Sequence, residues 1–261
     1  CTGRHGQLTL IPAIVHSCNV YFYQLGLKVG IDPLASCLRD LGFGRVTGID
    51  LLGERSGTVP DRAWLDRRYG PERWTIGVVL NLAIGQGELL ATPLQLALFY
   101  SKLAKNGEWY TPRLLDYARA PDGHIERTLP RRQSTAISPD DARILREALA
   151  GVVTEGTGWA AAIPGVRVSG KTGTAEHTGG EDHAWFVGYA GRSEPEIAFA
   201  VIVENGGKGG AVAAPIAREL VKEFYGIKEQ VLPEEVEEPA GGAEVVSRVQ
   251  VLRMPDSGRA R

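Results

Sequence analysis

Methionine is nearly absent from this chain: Met254 is the only one in 261 residues. With Cys1 in first position, that scarcity leads us to expect a fragment or a processed chain rather than a complete translation product. Cysteine is scarce too. Cys1, Cys18 and Cys37 cannot all pair with one another, and no Cys-x-x-Cys or His/Cys cluster points to zinc. We expect three reduced thiols, two of them buried as small apolar groups, with no metal and no cofactor. A lipoprotein spacer is not expected after Cys1, because a patterned segment follows within a few residues. An excess of charge is also missing. The 29 basic and 31 acidic residues leave a net charge of −2 and a pI of about 6.3, which excludes the basic footprint of a nucleic-acid binder. Long apolar runs are missing as well. The longest uncharged stretch, residues 6–27, carries Gln7, Pro12, His16, Asn19 and Gln24, too polar to span hydrocarbon. Nor is a secretory signal legible. The 33 glycines and 15 prolines fall below the roughly 25–30% that marks low-complexity chains. What is present is an ordinary globular composition, 43% hydrophobic and 23% charged, in a chain long enough to bury a substantial core.

Helical signals dominate the first half. Ile11, Ile14, Val15, Cys18, Phe22 and Leu25 form an apolar stripe at helical spacing. Asp32 as N-cap and Pro33 at the first helical position predict a second helix, running to the turn at Gly42-Phe43-Gly44. Residues 44–74 have few regular signals and read as a long excursion. Thr92-Pro93 caps a helix through Leu96, Ala97, Phe99, Tyr100 and Leu103 that stops at Gly107. Ser138-Pro139 opens another, with Ile144, Leu145, Ala148, Leu149, Val152 and Val153 on one face and Gly156 at its end.

The periodicity then changes. Val166 and Val168 alternate with Arg167 and Ser169, His183 to Tyr189 reads as an aromatic-rich strand, and Ile197 to Val203 as an apolar one. Gly188 to Ser193 with Glu194-Pro195 is the expected hairpin between the last two. A final helix over about Pro215 to Phe224 completes a helices-then-antiparallel-sheet pattern, an α+β fold rather than alternating βαβ. Residues 1–227 are expected to form the structured part. The rest, with five glutamates and no basic residue over 229–239, is expected to be a disordered acidic, proline-rich tail.

One motif misleads. Gly165 to Thr172 fits the P-loop pattern G-x-x-x-x-G-K-[ST]. A P-loop needs a strand before its first glycine and a helix straight after its Lys-Thr, so that the helix N-terminus faces phosphate. Here the strand signal lies inside the supposed loop, and Gly173 to Gly180 forms no helix. A nucleotide-binding reading would require ATP binding that disappears in Lys171→Ala.

Taken as a strand, Lys171-Thr172-Gly173-Thr174 resembles the K-T-G element of penicillin-binding proteins and serine β-lactamases, and Ser17-Cys18-Asn19 resembles their S-x-N triplet, in the same order. The longer stretches Ser17 to Tyr23, Thr47-Gly48-Ile49-Asp50 with Glu54, Ile84-Gly85-Gln86-Gly87, Thr92-Pro93-Leu94-Gln95 and Asp182 to Tyr189 are similar to class B penicillin-binding proteins. The His183-Ala184-Trp185-Phe186 variant is most similar to the elongation-type branch, penicillin-binding protein 2. The resemblance runs from about His5 to Tyr225. It implies a transpeptidase fold, an antiparallel sheet packed with helices plus an all-helical lobe across a cleft, incomplete in this chain.

The resemblance also implies the chemistry. A D-Ala-D-Ala stem peptide would acylate a serine and then pass to an amine of a neighbouring strand. Ser17 would relay a proton to the leaving amine beside Lys171, and Asn19 would hold the substrate amide. The Thr174 backbone N–H would supply half of an oxyanion hole, and the Thr172 and Thr174 hydroxyls would bind the terminal carboxylate of a peptide or β-lactam. Gly173 would let substrate backbone approach the strand closely. Residues two apart on a helix point away from each other, so Ser17 and Asn19 can share one cleft only if the helix breaks near them. An N-terminal membrane anchor on an absent segment, an extracytoplasmic location and a polytopic membrane glycan polymerase as partner are implied too.

One element departs from the pattern. The family's nucleophile and its lysine come as S-x-x-K upstream of S-x-N, and no serine or threonine here has Lys three residues on. No nucleophile is therefore assigned in this chain, which by itself is expected not to be acylated. Rival readings are a non-catalytic relative that binds wall peptide or β-lactams, and a D,D-carboxypeptidase or β-lactamase. Elsewhere plainer readings win: a hydrogen-bonded structural His183, a solvated His177, a buried turn with a Gln86 hydrogen bond, and Trp185 as core.

Overall fold

A computed structural model describes residues 3–176 and 179–228. Cys1, His177 and the acidic stretch from Glu229 onward, for which readings are given above, lie outside the described residues. Six helices come first: α1 (Leu10–Val15), α2 (Asn19–Val29), α3 (Ile31–Leu41), α4 (Arg62–Tyr69), α5 (Ile76–Ala83) and α6 (Pro93–Ala104). Two short antiparallel ribbons follow, β1 (Glu108–Tyr110) with β4 (Arg132–Ser134), and β2 (Tyr117–Arg119) with β3 (Ile125–Arg127). Then come α7 (Pro139–Thr154), the long strands β5 (Arg167–Ala175), β6 (His183–Gly191) and β7 (Ile197–Val203), and α8 (Ala213–Phe224). The long strands form one antiparallel sheet in the order β5-β6-β7, so one edge of β5 pairs with no other described strand. Helices packed on an antiparallel sheet make the fold α+β.

Strand alternation sorts the sheet into two faces. Ala184, Phe186 and Ala190 of β6 meet Val168 of β5, Phe199 and Val201 of β7, and Ala213, Ala217 and Val221 of α8. Phe186 has no exposed surface, a burial worth about 1.5–3 kcal/mol. On the opposite face Val187, Tyr189 and the half-buried Trp185 pack with Ile14 of α1, Tyr100 and Leu103 of α6, and Leu149 and Val152 of α7. Lys171 sits opposite Val187 in the ladder and therefore projects from this second face. Helices α3 to α5 close their own apolar clusters, Ile31, Leu65, Val79 and Leu82 in one, and Ala35, Phe43 and Val59 in another. At Gly26 a Cβ would lie 2.4 Å from the Cβ of Ala83, so the missing side chain sets how closely α2 approaches α5.

Polar side chains tie the excursion before α4 to this frame. Thr92 and Gln95 form a reciprocal capping box at the start of α6. The buried Gln95 amide also donates to the carbonyls of Arg45 and Ser56, both at 2.7 Å. Glu54 accepts from the Thr47 N–H and hydroxyl at 2.7 and 2.6 Å, and Asp50 from the Leu114 and Leu115 N–H groups at 2.6 and 2.8 Å. These bonds hold both carboxyls below the usual carboxylate range.

Several local expectations change. Helix α3 begins at Ile31 with Gly30 as N-cap, so Asp32 lies inside the first turn, where it accepts from the Arg62 N–H at 3.0 Å. Proline fits anywhere in that turn, whose N–H groups have no helical partner. Residues 44–74 contain a helix, α4, N-capped by Asp61 through a 2.7 Å bond from the Trp64 N–H. Four of its eight residues are charged and Leu65 is its only buried one, so the apolar period is faint. Cys37 is exposed, off the Ile31–Ala35 stripe, while Cys18 is buried; both are free thiols. Leu25 is exposed instead of buried, because the helix breaks and changes phase before it. Strand β6 continues to Gly191, and Gly188 lies mid-strand opposite Gly170, not in the hairpin.

Candidate active site

The stripe that reads as one helix is two. Helix α1 ends at Val15, and α2 starts at Asn19. Between them the Ser17 N–H donates to the Ile14 carbonyl at 3.1 Å, and the Cys18 N–H to the Ala13 carbonyl at 2.9 Å. These are the paired bonds of a Schellman ending, with Ser17 at the position that glycine usually fills. Ser17 accordingly has φ +52°, a left-handed conformation costing roughly 1–2 kcal/mol for a residue with a Cβ. Strain of this kind persists where the side chain is needed at that spot.

The Ser17 hydroxyl receives a hydrogen bond from the Lys171 ammonium at 2.9 Å, across 154 residues of chain. The same ammonium donates to the Thr172 carbonyl at 2.9 Å. Burial pushes the Lys171 amine down to about 8. A lysine near that value can hold a proton at neutral pH and release it without a large penalty. Asn19 opens α2, two residues from Ser17 and directly after the break.

On β5 the Thr172 hydroxyl shares a 2.7 Å hydrogen bond with the hydroxyl of Thr157, in the loop after α7. Thr157 carries no sequence signal. A threonine beside a terminal glycine reads as a helix stop, and only the fold brings it to Thr172. At Gly173 the vacant Cβ position faces Trp185 across the ladder, 3.1 Å from its Cβ. The room left by this glycine is taken up inside the sheet, a packing reason beside the expected close approach of substrate. The Thr174 carbonyl points to the edge away from β6 and accepts from the Gln86 side-chain amide at 2.7 Å. In an extended strand a residue's N–H and C=O share one side, so the Thr174 N–H faces the same edge.

Other singled-out residues have plainer settings. His183 accepts at Nδ1 from the Asn205 N–H at 3.0 Å, and no group of three or more potential metal ligands occurs among the described residues. Trp185 packs against the second core face. All but the first two residues of the P-loop pattern lie on β5, where no loop can wrap a phosphate, and Gly170 answers to strand pairing, since a Cβ there would lie 2.6 Å from the Val187 carbonyl. A cavity of about 550 Å³ lies elsewhere, lined by Asp40, Arg45, Thr47, Lys102 and Trp109.

Comparison with known proteins identifies the family. Residues 2–222 match the penicillin binding protein transpeptidase domain family. The chain is 36% identical over 225 residues to the peptidoglycan D,D-transpeptidase MrdA of Acinetobacter baumannii, covering 80% of this chain and 33% of that protein. It is 35% identical over 237 residues to the peptidoglycan D,D-transpeptidase PbpA of Mycobacterium tuberculosis, covering 84% and 44%. The chain thus spans a third to under half the length of these relatives. Among solved structures, penicillin-binding protein 2 of Pseudomonas aeruginosa in complex with WCK 5153 superposes with a TM-score of 0.73 at 34% identity, covering 84% of this chain and 48% of that one. Family match, identity and superposition agree: the chain belongs to the penicillin-binding protein transpeptidase family, in its penicillin-binding protein 2 branch.

Proposed function

We propose that this chain supplies two walls of a peptidoglycan D,D-transpeptidase site that cross-links stem peptides during cell-wall elongation. Residues 1–227 would be the C-terminal part of the transpeptidase domain. The observation that carries the reading is the 2.9 Å bond from Lys171 to Ser17, made between a strand and a strained helix junction. The nucleophilic serine and its lysine belong, in this reading, to an S-x-x-K segment outside these residues.

In the first half-reaction the nucleophile's oxygen attacks the penultimate D-Ala carbonyl, its proton passing to the lysine of its own S-x-x-K segment, and the oxyanion forms at the Thr174 N–H. Removing one such donor typically costs 10²–10³ in rate. As the peptide bond breaks, the Ser17 hydroxyl passes its proton to the departing D-Ala amine and is reprotonated from Lys171. The Thr172 and Thr174 hydroxyls receive the terminal carboxylate, Thr172 being held in place by Thr157. Asn19 orients the substrate amide. In the second half-reaction an amine of a neighbouring strand attacks the acyl-enzyme, and the same groups move the proton back. A β-lactam enters as a substrate analogue and stops at the acyl stage.

The implied partners are stem peptides, β-lactams and a polytopic membrane glycan polymerase. In support, a solved neighbour of this fold, 33% identical, belongs to a peptidoglycan synthase complex that coordinates polymerization and crosslinking. The family implies a membrane anchor on an N-terminal segment outside these residues, placing the domain on the periplasmic face; among the described residues no helix is long and apolar enough to cross a membrane.

The test supplies the full-length protein and its polymerase with lipid-linked precursor bearing pentapeptide, and identifies products by mass spectrometry. Cross-linked muropeptides are expected, and are expected to disappear in Lys171→Ala. Released D-Ala without cross-links would assign a carboxypeptidase instead. Bound but unconverted peptide would assign the non-catalytic relative.

A further inference from the structure

The edge of β5 that faces the proposed substrate is already occupied. Gln86 donates its side-chain N–H to the Thr174 carbonyl at 2.7 Å, and its side-chain oxygen accepts from the Glu176 N–H at 3.2 Å. A carboxamide with both groups engaged on residues i and i+2 of an unpaired edge imitates the backbone of a neighbouring strand. The contact is long-range, 88 and 90 residues apart, so local chain geometry does not impose it. It comes from the turn after α5, where Gly85 and Gly87 both have positive φ, at +79° and +76°, and hold Gln86 out toward the sheet.

An antiparallel residue laid opposite Thr174 exchanges both of its backbone hydrogen bonds with it, giving its N–H to the Thr174 carbonyl and its C=O to the Thr174 N–H. In the proposed reaction the penultimate D-Ala is that residue, because its carbonyl sits on the Thr174 N–H. Its own N–H is therefore directed at the carbonyl that Gln86 holds. We propose that Gln86 is a specificity-determining residue of the acyl-donor subsite. It stands in for the donor's penultimate amide in the empty protein, is displaced when that amide arrives, and so disfavours ligands unable to replace its bond. The inference rests on the function proposed above.

The experiment uses the ¹⁵N-labelled chain, wild type, Gln86→Ala and Gln86→Glu, titrated with diacetyl-Lys-D-Ala-D-Ala and followed by amide shifts of Ser17, Asn19 and Thr172–Thr174. In parallel, hydrogen exchange is measured at the Glu176 amide. Losing the competing bond in Gln86→Ala is expected to tighten peptide binding about three- to tenfold and to deprotect Glu176. Gln86→Glu can still accept from Glu176 but cannot donate to Thr174, so it is expected to keep the protection and still bind more tightly. The same peptide N-methylated at the penultimate D-Ala has no N–H to give and is expected to bind wild type and both variants alike. A merely structural role for Gln86 would weaken binding in the alanine variant. Equal or weaker binding by Gln86→Ala overturns the inference while leaving the function standing. Peptide that shifts none of these amides in any of the three proteins overturns both.

Discussion

Ser17 offers a stability test in which glycine should outperform alanine. Its hydroxyl accepts from a lysine that burial already disfavours, and its backbone sits at φ +52° in the glycine position of a helix ending. Ser17→Ala keeps the left-handed backbone and deletes the acceptor. A hydrogen bond to a charged group is worth about 1.5–3 kcal/mol, and that loss is expected in full. Ser17→Gly deletes the same acceptor but relieves the backbone. Net of glycine's larger unfolded-state entropy, the relief is about 1 kcal/mol. The expected order of stability is wild type, then Ser17→Gly, then Ser17→Ala. Equilibrium urea unfolding followed by tryptophan fluorescence resolves it, the chain having five tryptophans. Ser17→Ala matching Ser17→Gly would refute the strain argument. Ser17→Ala matching wild type would refute the energetic importance of the Lys171 contact.

Four further outcomes follow from the same structure. Lys171 and Lys102 are both lowered by burial to about 8, so their ¹³Cε resonances should titrate near that pH, below a lysine's ordinary range. Between pH 8 and 10.5 the unfolded chain holds protons that the folded chain has released, so stability rises with pH across that window, and the rise should shrink in Lys171→Met. Gln95→Ala strips partners from the carbonyls of Arg45 and Ser56 and from the Thr92 N–H, and should cost about 2–4 kcal/mol by urea unfolding. Gly26→Val drives α2 from α5 and should cost about 1–3 kcal/mol, seen as a lower Tm.

The sheet and the helix ends were legible because their signals are local. Alternation marks the strands, and Thr92-Pro93 and Ser138-Pro139 announce helices whose caps form as read. The break at Ser17 was legible only through chemistry, since the apolar period runs straight across it. Helix α4 was not legible, having four charged residues among eight with Leu65 alone buried, and being held by Asp61 and its 2.6 Å ion pair with Arg39. Helix α5, eight mostly apolar residues, is too short for periodicity to separate it from a strand. Ser17, Asn19 and the Lys171–Thr174 run stand out as motif residues, and the fold brings Ser17 to Lys171. The partners that hold β5, Thr157 and Gln86, were missed as site residues because each reads locally as a turn. Their meaning lies in contacts 15 to 90 residues away.

The most direct test is to acylate the full-length protein with a labelled penicillin and map the modified serine by peptide mass spectrometry. The account predicts one penicilloyl-serine, in an S-x-x-K segment outside these 261 residues, with labelling slowed at least about 10²-fold by Lys171→Ala. It also predicts no label on the 261-residue chain alone. A penicilloyl group on Ser17, or on any other serine of this chain, would contradict it.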